Sequence, residues 1–277
     1  MSGQTVTCRQ PLRVKLPPAA VVERIHQLWD ELVDHDASRD GAALDHLMQG
    51  LCDLVQAQNA VWIGAVRMST PQSNDPVHGW RPRMIHHLHL DSPFPSMDRK
   101  LVHQLEAGLV DPSTVRNVSF AGQYRAHLLA ELVPASWFES DFYRAVYLDM
   151  GHHDAIWAGV PVNADTESYF GLHRNLGQPR FTPTERDIVA HTLRGLRWFL
   201  RREMLGHGLL MASAPLTPVE RHVLEGILAG MTEKQIAKVQ GHSFNTTHEY
   251  VRRLFRKYGV RNRAALMALW VGRHPPN

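Results

Sequence analysis

The chain of 277 residues has room for two domains, and 44% hydrophobic with 21% charged residues is ordinary globular composition, which excludes a disordered or fibrous polypeptide. The net charge of +3 is unevenly spread: residues 216–277 hold ten Lys/Arg against four Asp/Glu, net +6, and the residues before them twenty against twenty-three, net −3, as expected for a small basic nucleic-acid module joined to a neutral or acidic domain. Two cysteines, Cys8 and Cys52, make no disulfide framework, and there is neither a signal-peptide core nor an apolar run of roughly 18–20 residues, so a soluble cytoplasmic protein without a membrane partner is expected.

Residues 1–18, punctuated by Pro11, Pro17 and Pro18, read as a flexible arm. Ala19 to Val33 repeats Val21, Val22, Ile25, Leu28, Trp29 and Leu32 at helical spacing. After a break at His35–Gly41, a second helix is expected over Ala42–Gln56. Asn59–Met68 reads as a buried strand, Ser69–Pro76 as a turn-rich loop and Arg83–Leu90 as another strand. Helices are expected at Ser96–Glu106, Gln123–Leu132 and Asp141–Leu148. Asp154–Val162 and Ser168–His173, separated by polar Asn163–Glu167, form a hairpin signal. Thr182, Pro183 and Glu185 then supply an N-cap, a first-turn proline and a capping-box acid for one long helix reaching about Leu205. Residues 207–215 read as a linker.

The same start logic recurs at Thr217, Pro218 and Glu220, opening a helix that Gly230 stops. Thr232 caps a short second helix, Gly241 makes the turn, and Ser243 caps a third helix that buries Val251, Leu254 and Phe255. That helix presents His248, Glu249, Arg252, Arg253, Arg256 and Lys257, and Arg263–Trp270 forms a fourth. Helix, short helix, tight turn and basic helix is the layout of a helix-turn-helix, whose basic helix enters the major groove. A basic, solvated helix bundle is the alternative reading of composition alone.

The residues Leu216-Thr217-Pro218, Glu220-Arg221, Val223-Leu224, Gly230, Thr232, Lys234, Ile236-Ala237, Gly241, Ser243, Thr246, Arg256-Lys257, Gly259-Val260-Arg261, Arg263-Ala264 and Leu266 run without a gap over about fifty positions. Leu216–Leu266 thereby closely resembles the LuxR-type helix-turn-helix domain. The resemblance implies a dimer on double-stranded DNA, often joined through the fourth helix, that regulates transcription. It implies groove-facing roles for His248, Glu249 and Arg252, and phosphate contacts near Thr246, Lys257, Arg261 and Arg263. Departures from the family pattern are Gln240, His242 and Thr247 at core positions, Tyr250 for the usual histidine, and Glu249, a carboxylate amid phosphates.

Residues 42–205 resemble a GAF-type sensory domain, most specifically through Ala155–Val162, Tyr169–His173 and Arg180-Phe181-Thr182-Pro183-Thr184-Glu185-Arg186. Such domains hold a small molecule between sheet and variable helices, or serve as dimerisation scaffolds. The Trp, Tyr and Asp set of acyl-homoserine-lactone receptors is not found at its spacing. Trp62, Tyr143 and Trp157, in or beside sheet segments, are candidates for lining a ligand pocket, with His173 as a polar anchor; ordinary core aromatics are the other reading. His87 and His89 share a strand face, and Asp154 could join them on a metal, but no HExxH or cysteine-rich spacing accompanies them. No catalytic motif is present, and Cys52 reads as core filler.

The expected fold is an α+β GAF-like domain over 19–206, an antiparallel sheet with flanking helices, followed by an all-α four-helix helix-turn-helix domain over 216–273. The expected function is that of a dimeric, DNA-binding transcription regulator, not an enzyme, needing no cofactor or metal, with a small-molecule effector as the one further ligand. The competing functions are a protein-interaction module whose tail has left DNA, and a metal-dependent enzyme in the front domain.

Overall fold

The computed structural model describes residues 15–35, 41–68, 74–90, 94–210 and 216–271. Most of the arm expected before residue 19, and parts of the expected break at 35–41, the loop at 69–76, the linker at 207–215 and the end of the tail, lie outside them.

Helices α1 (Ala19–Asp34) and α2 (Ala42–Val55) precede strands β1 (Asn59–Arg67) and β2 (Trp80–His87). Helices α3 (Phe94–Glu106) and α4 (Pro112–Val118) follow, then β3 (Arg125–Leu128) and the short α5 (Leu129–Leu132). A 3-10 turn at Ala135–Glu139 leads into α6 (Asp141–Tyr143), which widens into a π turn over Arg144–Leu148. The hairpin β4 (His152–Pro161) and β5 (Thr166–Asn175) and the helices α7 (Pro183–Arg194) and α8 (Arg197–Gly206) complete the front domain. The five strands form one antiparallel sheet in the order β2-β1-β5-β4-β3.

Alternation along the strands divides the side chains between two buried layers. Ala60 and Trp62 of β1, Ile156 and Ala158 of β4, and Phe170 and Leu172 of β5 face the main core, with Leu28, Leu47, Leu51, Val189, Leu193 and Phe199 from the helices. Val61, Ile63, Trp157 and Tyr169 point to the other face, toward α3, α4 and α6. Two covered faces bury the central strands along their length: all but the last residue of β5 is buried, its polar Glu167, Ser168 and Arg174 included.

Two sequence expectations are corrected. Gln123–Leu132 is not a helix, since Arg125–Leu128 pairs with Ile156–Gly159 at the sheet edge and only Leu129–Leu132 turns helical. The single long helix from Pro183 is two helices. The first ends at Gly195: Trp29 Nε1 donates to Thr192 O at 3.0 Å, the carbonyl a continuing helix would offer to Leu196 N, which bonds Leu193 O instead, and the indole lies 2.7 Å from where a Cβ at Gly195 would stand, so only glycine fits. The strand expected at Arg83–Leu90 begins three residues earlier, and α4 is an element the periodicity did not reveal. The capping boxes at Thr182 and Thr217 form as the sequence implies.

The tail holds α9 (Pro218–Leu228), α10 (Glu233–Gln240), α11 (Phe244–Lys257) and α12 (Arg263–Trp270). Val223, Leu224, Ile227, Ile236, Val251, Leu254, Tyr258, Leu266 and Leu269 form its core, and Leu205 at the end of α8 joins them. Tyr258 is fully buried, and its hydroxyl donates to Leu205 O at 2.6 Å. Leu216 N donates to His207 O at 3.1 Å. The tail core thus closes directly on the last turn of the front domain.

Candidate nucleic-acid interface and ligand cavity

Helix α11 has two faces for a reason visible in its spacing. Thr247, Val251 and Leu254 recur at four and three residues and are buried, while His248, Glu249, Arg252, Arg253 and Arg256 fall on the opposite side and are exposed. Ser243 caps the helix by accepting from Thr246 N at 3.1 Å, and Thr246 Oγ1 lies 2.8 Å from Ser243 Oγ. Thr246 is thereby fixed at the exposed first turn. Gly241, at φ +66°, takes the left-handed turn between α10 and α11.

The exposed groups differ in how they are held. His248 Nδ1 lies 2.9 Å from Glu233 Oε2 across from α10, and Arg252 Nη1 donates to Glu249 Oε1 at 3.1 Å. The Arg253 guanidinium lies over the Tyr250 ring, 5.5 Å from its centre. Arg256 and Arg261 are exposed. Two residues that the resemblance places near phosphates are engaged inside the domain. Lys257 Nζ donates to Glu220 Oε2 at 2.6 Å, which helps hold the Glu220 carboxyl below the ordinary range against the opposing effect of its burial. Arg263 donates to Met231 O and Ile227 O, tying α12 to the end of α9. Phe244, 48% exposed and stacked on His248 at 6.2 Å, also stands on the solvent side; the sequence reading passed over it, although its place next to the cap Ser243 was a usable signal. Of the unusual core residues, Thr247 Oγ1 and His242 Nδ1 are buried with no hydrogen-bond partner among the described residues.

The front domain holds a partly open cavity of about 240 Å³ between the outer face of the sheet and α3, α4 and α6. Val61, Ile63, Ile85, Leu101, Leu105, Val118 and Val146 give it apolar walls. One group of its polar side chains is His87, Tyr147, His152, Trp157 and His173, and Arg81, Asp98, Ser113, Thr114, Asn117 and Tyr169 line it elsewhere. His87 Nε2 lies 2.9 Å from Asp98 Oδ2. Trp157 Nε1 donates to the Tyr147 hydroxyl at 3.0 Å, and burial keeps that phenol protonated well above its usual range. The rings of His152 and His173 stack at 4.8 Å. Burial first, and then the neighbouring His152 and His87, hold His173 well below the usual imidazole pKa, so it is neutral at physiological pH.

Of the four residues named as pocket candidates, Trp157 and His173 line this cavity. Trp62 does not: alternation turns it to the opposite face, where its indole donates to Ser168 Oγ at 3.3 Å and packs 5.2 Å from the His207 ring. Tyr143 stands behind the wall, with its hydroxyl on His153 O at 2.8 Å and its ring against Trp137. The proposed metal group is not assembled. Asp154 accepts from Phe181 N at 2.8 Å, His87 pairs with Asp98, and no group of three or more His, Cys, Asp or Glu among the described residues could hold a metal ion. No helix among them is long and apolar enough to cross a membrane.

The cavity rim is braced by a buried ion pair. Arg125 Nη2 meets Glu167 Oε2 at 2.9 Å, with side chains 4% and 0% exposed, and Glu167 also accepts from Gly122 N at 2.6 Å. Arg125 Nε donates to Asn117, which lines the cavity from α4.

Residues 214–270 match the GerE profile, that of bacterial regulatory proteins of the luxR family. Among curated proteins, none matches the chain significantly. Solved structures similar to the chain include SdiA in complex with octanoyl-rac-glycerol, at 13% identity and TM-score 0.45, covering 95% of this chain and 100% of that one. A VqsR LBD domain from Pseudomonas aeruginosa is 17% identical with TM-score 0.41, covering 66% of this chain and 92% of that one. Escherichia coli SdiA is 12% identical with TM-score 0.43, covering 91% and 98%.

Proposed function

We propose, from the premise that residues 214–270 are a LuxR-family regulatory domain, that this DNA-binding regulator acts as a homodimer, inserts α11 into the major groove and answers to a small molecule in the front cavity. The observation that carries the reading is the division of α11. Its apolar stripe is spent on the tail core, and its other face offers Arg252, Arg253 and Arg256 to solvent in one row. A row of cations on a helix of this layout neutralises phosphates and displaces their counterions. The partner copy fits α12, whose exposed Ala264, Met267 and Val271 follow one another at helical spacing. Pairing through that face sets two copies of α11 on half-sites about one helical turn apart.

The cavity suits an uncharged ligand with an apolar body. Its walls are apolar, and at neutral pH His173 and Tyr147 present hydrogen-bonding groups without charge. A carboxylate or ammonium there would lose its hydration, and the charged groups of the lining already face partners of their own, Arg81 with Asp75 at 3.0 Å and His87 with Asp98 at 2.9 Å.

The test is binding of full-length protein to its own promoter region across a salt series. Log affinity is expected to fall linearly with log salt, and Arg253→Ala to weaken binding on all sequences and reduce the slope by about 1. Salt-independent binding, or none at low salt by either full-length protein or the tail alone, overturns the reading.

A further inference from the structure

The outward face of α11 carries one carboxylate among its cations. The Glu249 side chain is 55% exposed and accepts from Arg252 Nη1 at 3.1 Å. The other acidic group near the start of the helix, Glu233, faces His248 at 2.9 Å. Resting on the reading that α11 enters the major groove, we infer that Glu249 selects a cytosine in each half-site by accepting from its N4 amino group.

The argument begins with cost. A carboxylate brought into a field of phosphates is repelled and displaces no counterions, so it lowers affinity for every sequence that offers it no donor. Few base edges do. In the major groove guanine shows two acceptors, N7 and O6, and thymine shows an acceptor and a methyl group. Adenine offers the N6 amino group, but with the N7 acceptor beside it, where the second carboxylate oxygen would come. Cytosine offers N4 with no acceptor adjacent on its own edge, and is therefore the base a carboxylate tolerates best.

Arg252 sharpens this choice. Placed three residues on, it lies next to Glu249 on the helix surface and holds the carboxylate by one of its N–H groups. The remaining guanidinium donors point away from that bond and are available to a guanine edge or a phosphate. An acceptor beside a two-pronged donor matches the acceptor, acceptor, donor order of a G·C edge, whereas A·T sets its one donor between two acceptors that the fork cannot both reach. Glu249 also acts by exclusion, because wrong bases leave a desolvated carboxylate opposite an acceptor.

The experiment is selection from a random double-stranded library by full-length protein, E249A and E249Q, with thermal melts confirming that both variants fold. The native protein is expected to enrich cytosine at one position in each half-site, and replacing that base to cost about tenfold in affinity. E249A loses that preference, keeps the rest of the half-site and gains affinity for random DNA. E249Q shifts the preference from cytosine to adenine, because an amide pairs with both N6 and N7. If E249A selects cytosine as the native protein does, or E249Q leaves the base unchanged, the inference is wrong. When R253A nevertheless weakens binding, the placement of α11 on DNA survives that failure. A native protein that enriches no sequence and binds none overturns both.

Discussion

His207 couples acidity to the junction between the two domains, and the size of that coupling follows from its surroundings. It ends α8 with 6% exposure, packs its ring 5.2 Å from Trp62 and accepts from Leu216 N through its carbonyl. Burial, with a smaller effect from His86, lowers its pKa from 6.5 to about 4. The folded value is depressed, so as pH falls the unfolded chain takes the proton first. Stability is complete above the unfolded pKa and is lost as pH falls toward 4. At 1.36 kcal/mol per unit the loss is about 1 kcal/mol at about pH 5.5 and about 3 kcal/mol by pH 4. Glu203 works against it: burial raises its pKa from 4.5 to about 7, so the folded state holds a proton the unfolded state lacks, and stability rises as pH falls through that window. The native protein should therefore show a shallow profile. His207→Phe keeps an aromatic ring against Trp62 and removes only the titration. Urea denaturation of both proteins at about pH 7.5 and about pH 5.5 should show the variant gaining about 1 kcal/mol on the native protein at the lower pH. A difference that stays constant between the two pH values would refute the reasoning.

Glu167→Gln leaves the Arg125 charge buried without its partner, and should cost about 3–5 kcal/mol by denaturant titration; a cost below about 1 kcal/mol would mean the pair is hydrated in solution. Thr247→Val removes a buried hydroxyl that has no partner at nearly constant shape, and should raise stability by about 1 kcal/mol, checked by thermal melting. A lower melting temperature would show that the hydroxyl holds a water.

The tail was legible because its local signals agree. Threonine caps, first-turn prolines, stop glycines and a clear apolar stripe each pointed to the same four helices. The front domain was less so where distant residues decide. Nothing between Gln123 and Leu128 announces a strand; the edge of β4, some thirty residues on, recruits it. Gly195 is compatible with a helix interior, and the indole that excludes any side chain there belongs to Trp29 in α1. The candidate pocket was half legible for a similar reason. Alternation says that Trp62 and Trp157 each choose a face, but with both faces of the sheet buried, hydrophobicity cannot say which face holds the cavity. The register resolves it: Trp157 stands opposite Gly171, between Tyr169 and His173, on the cavity side, and Trp62 stands opposite Phe170 on the core side.

That same alternation gives the front domain a short route to the tail. Val61, Ile63 and Ala65 of β1 line the cavity. Between them, Trp62 and Gly64 face the other way and carry the end of the last front helix: His207 lies on Trp62, and Leu209 Cδ1 and Met204 Sδ come within 2.5 and 3.2 Å of the space a Cβ at Gly64 would take. Leu205, next in the chain to Met204, sits in the tail core and accepts the Tyr258 hydrogen bond. A single strand therefore separates the cavity from the segment on which the tail rests, and the break at Gly195 leaves α8 as its own ten-residue unit rather than the end of a longer rod. A ligand shifts such an equilibrium only by the difference in its affinity for two positions of that strand. Densely packed side chains do not absorb displacement. On the proposed reading, a ligand that displaced Val61, Ile63 and Ala65 would move the strand against which His207 and Leu209 pack directly.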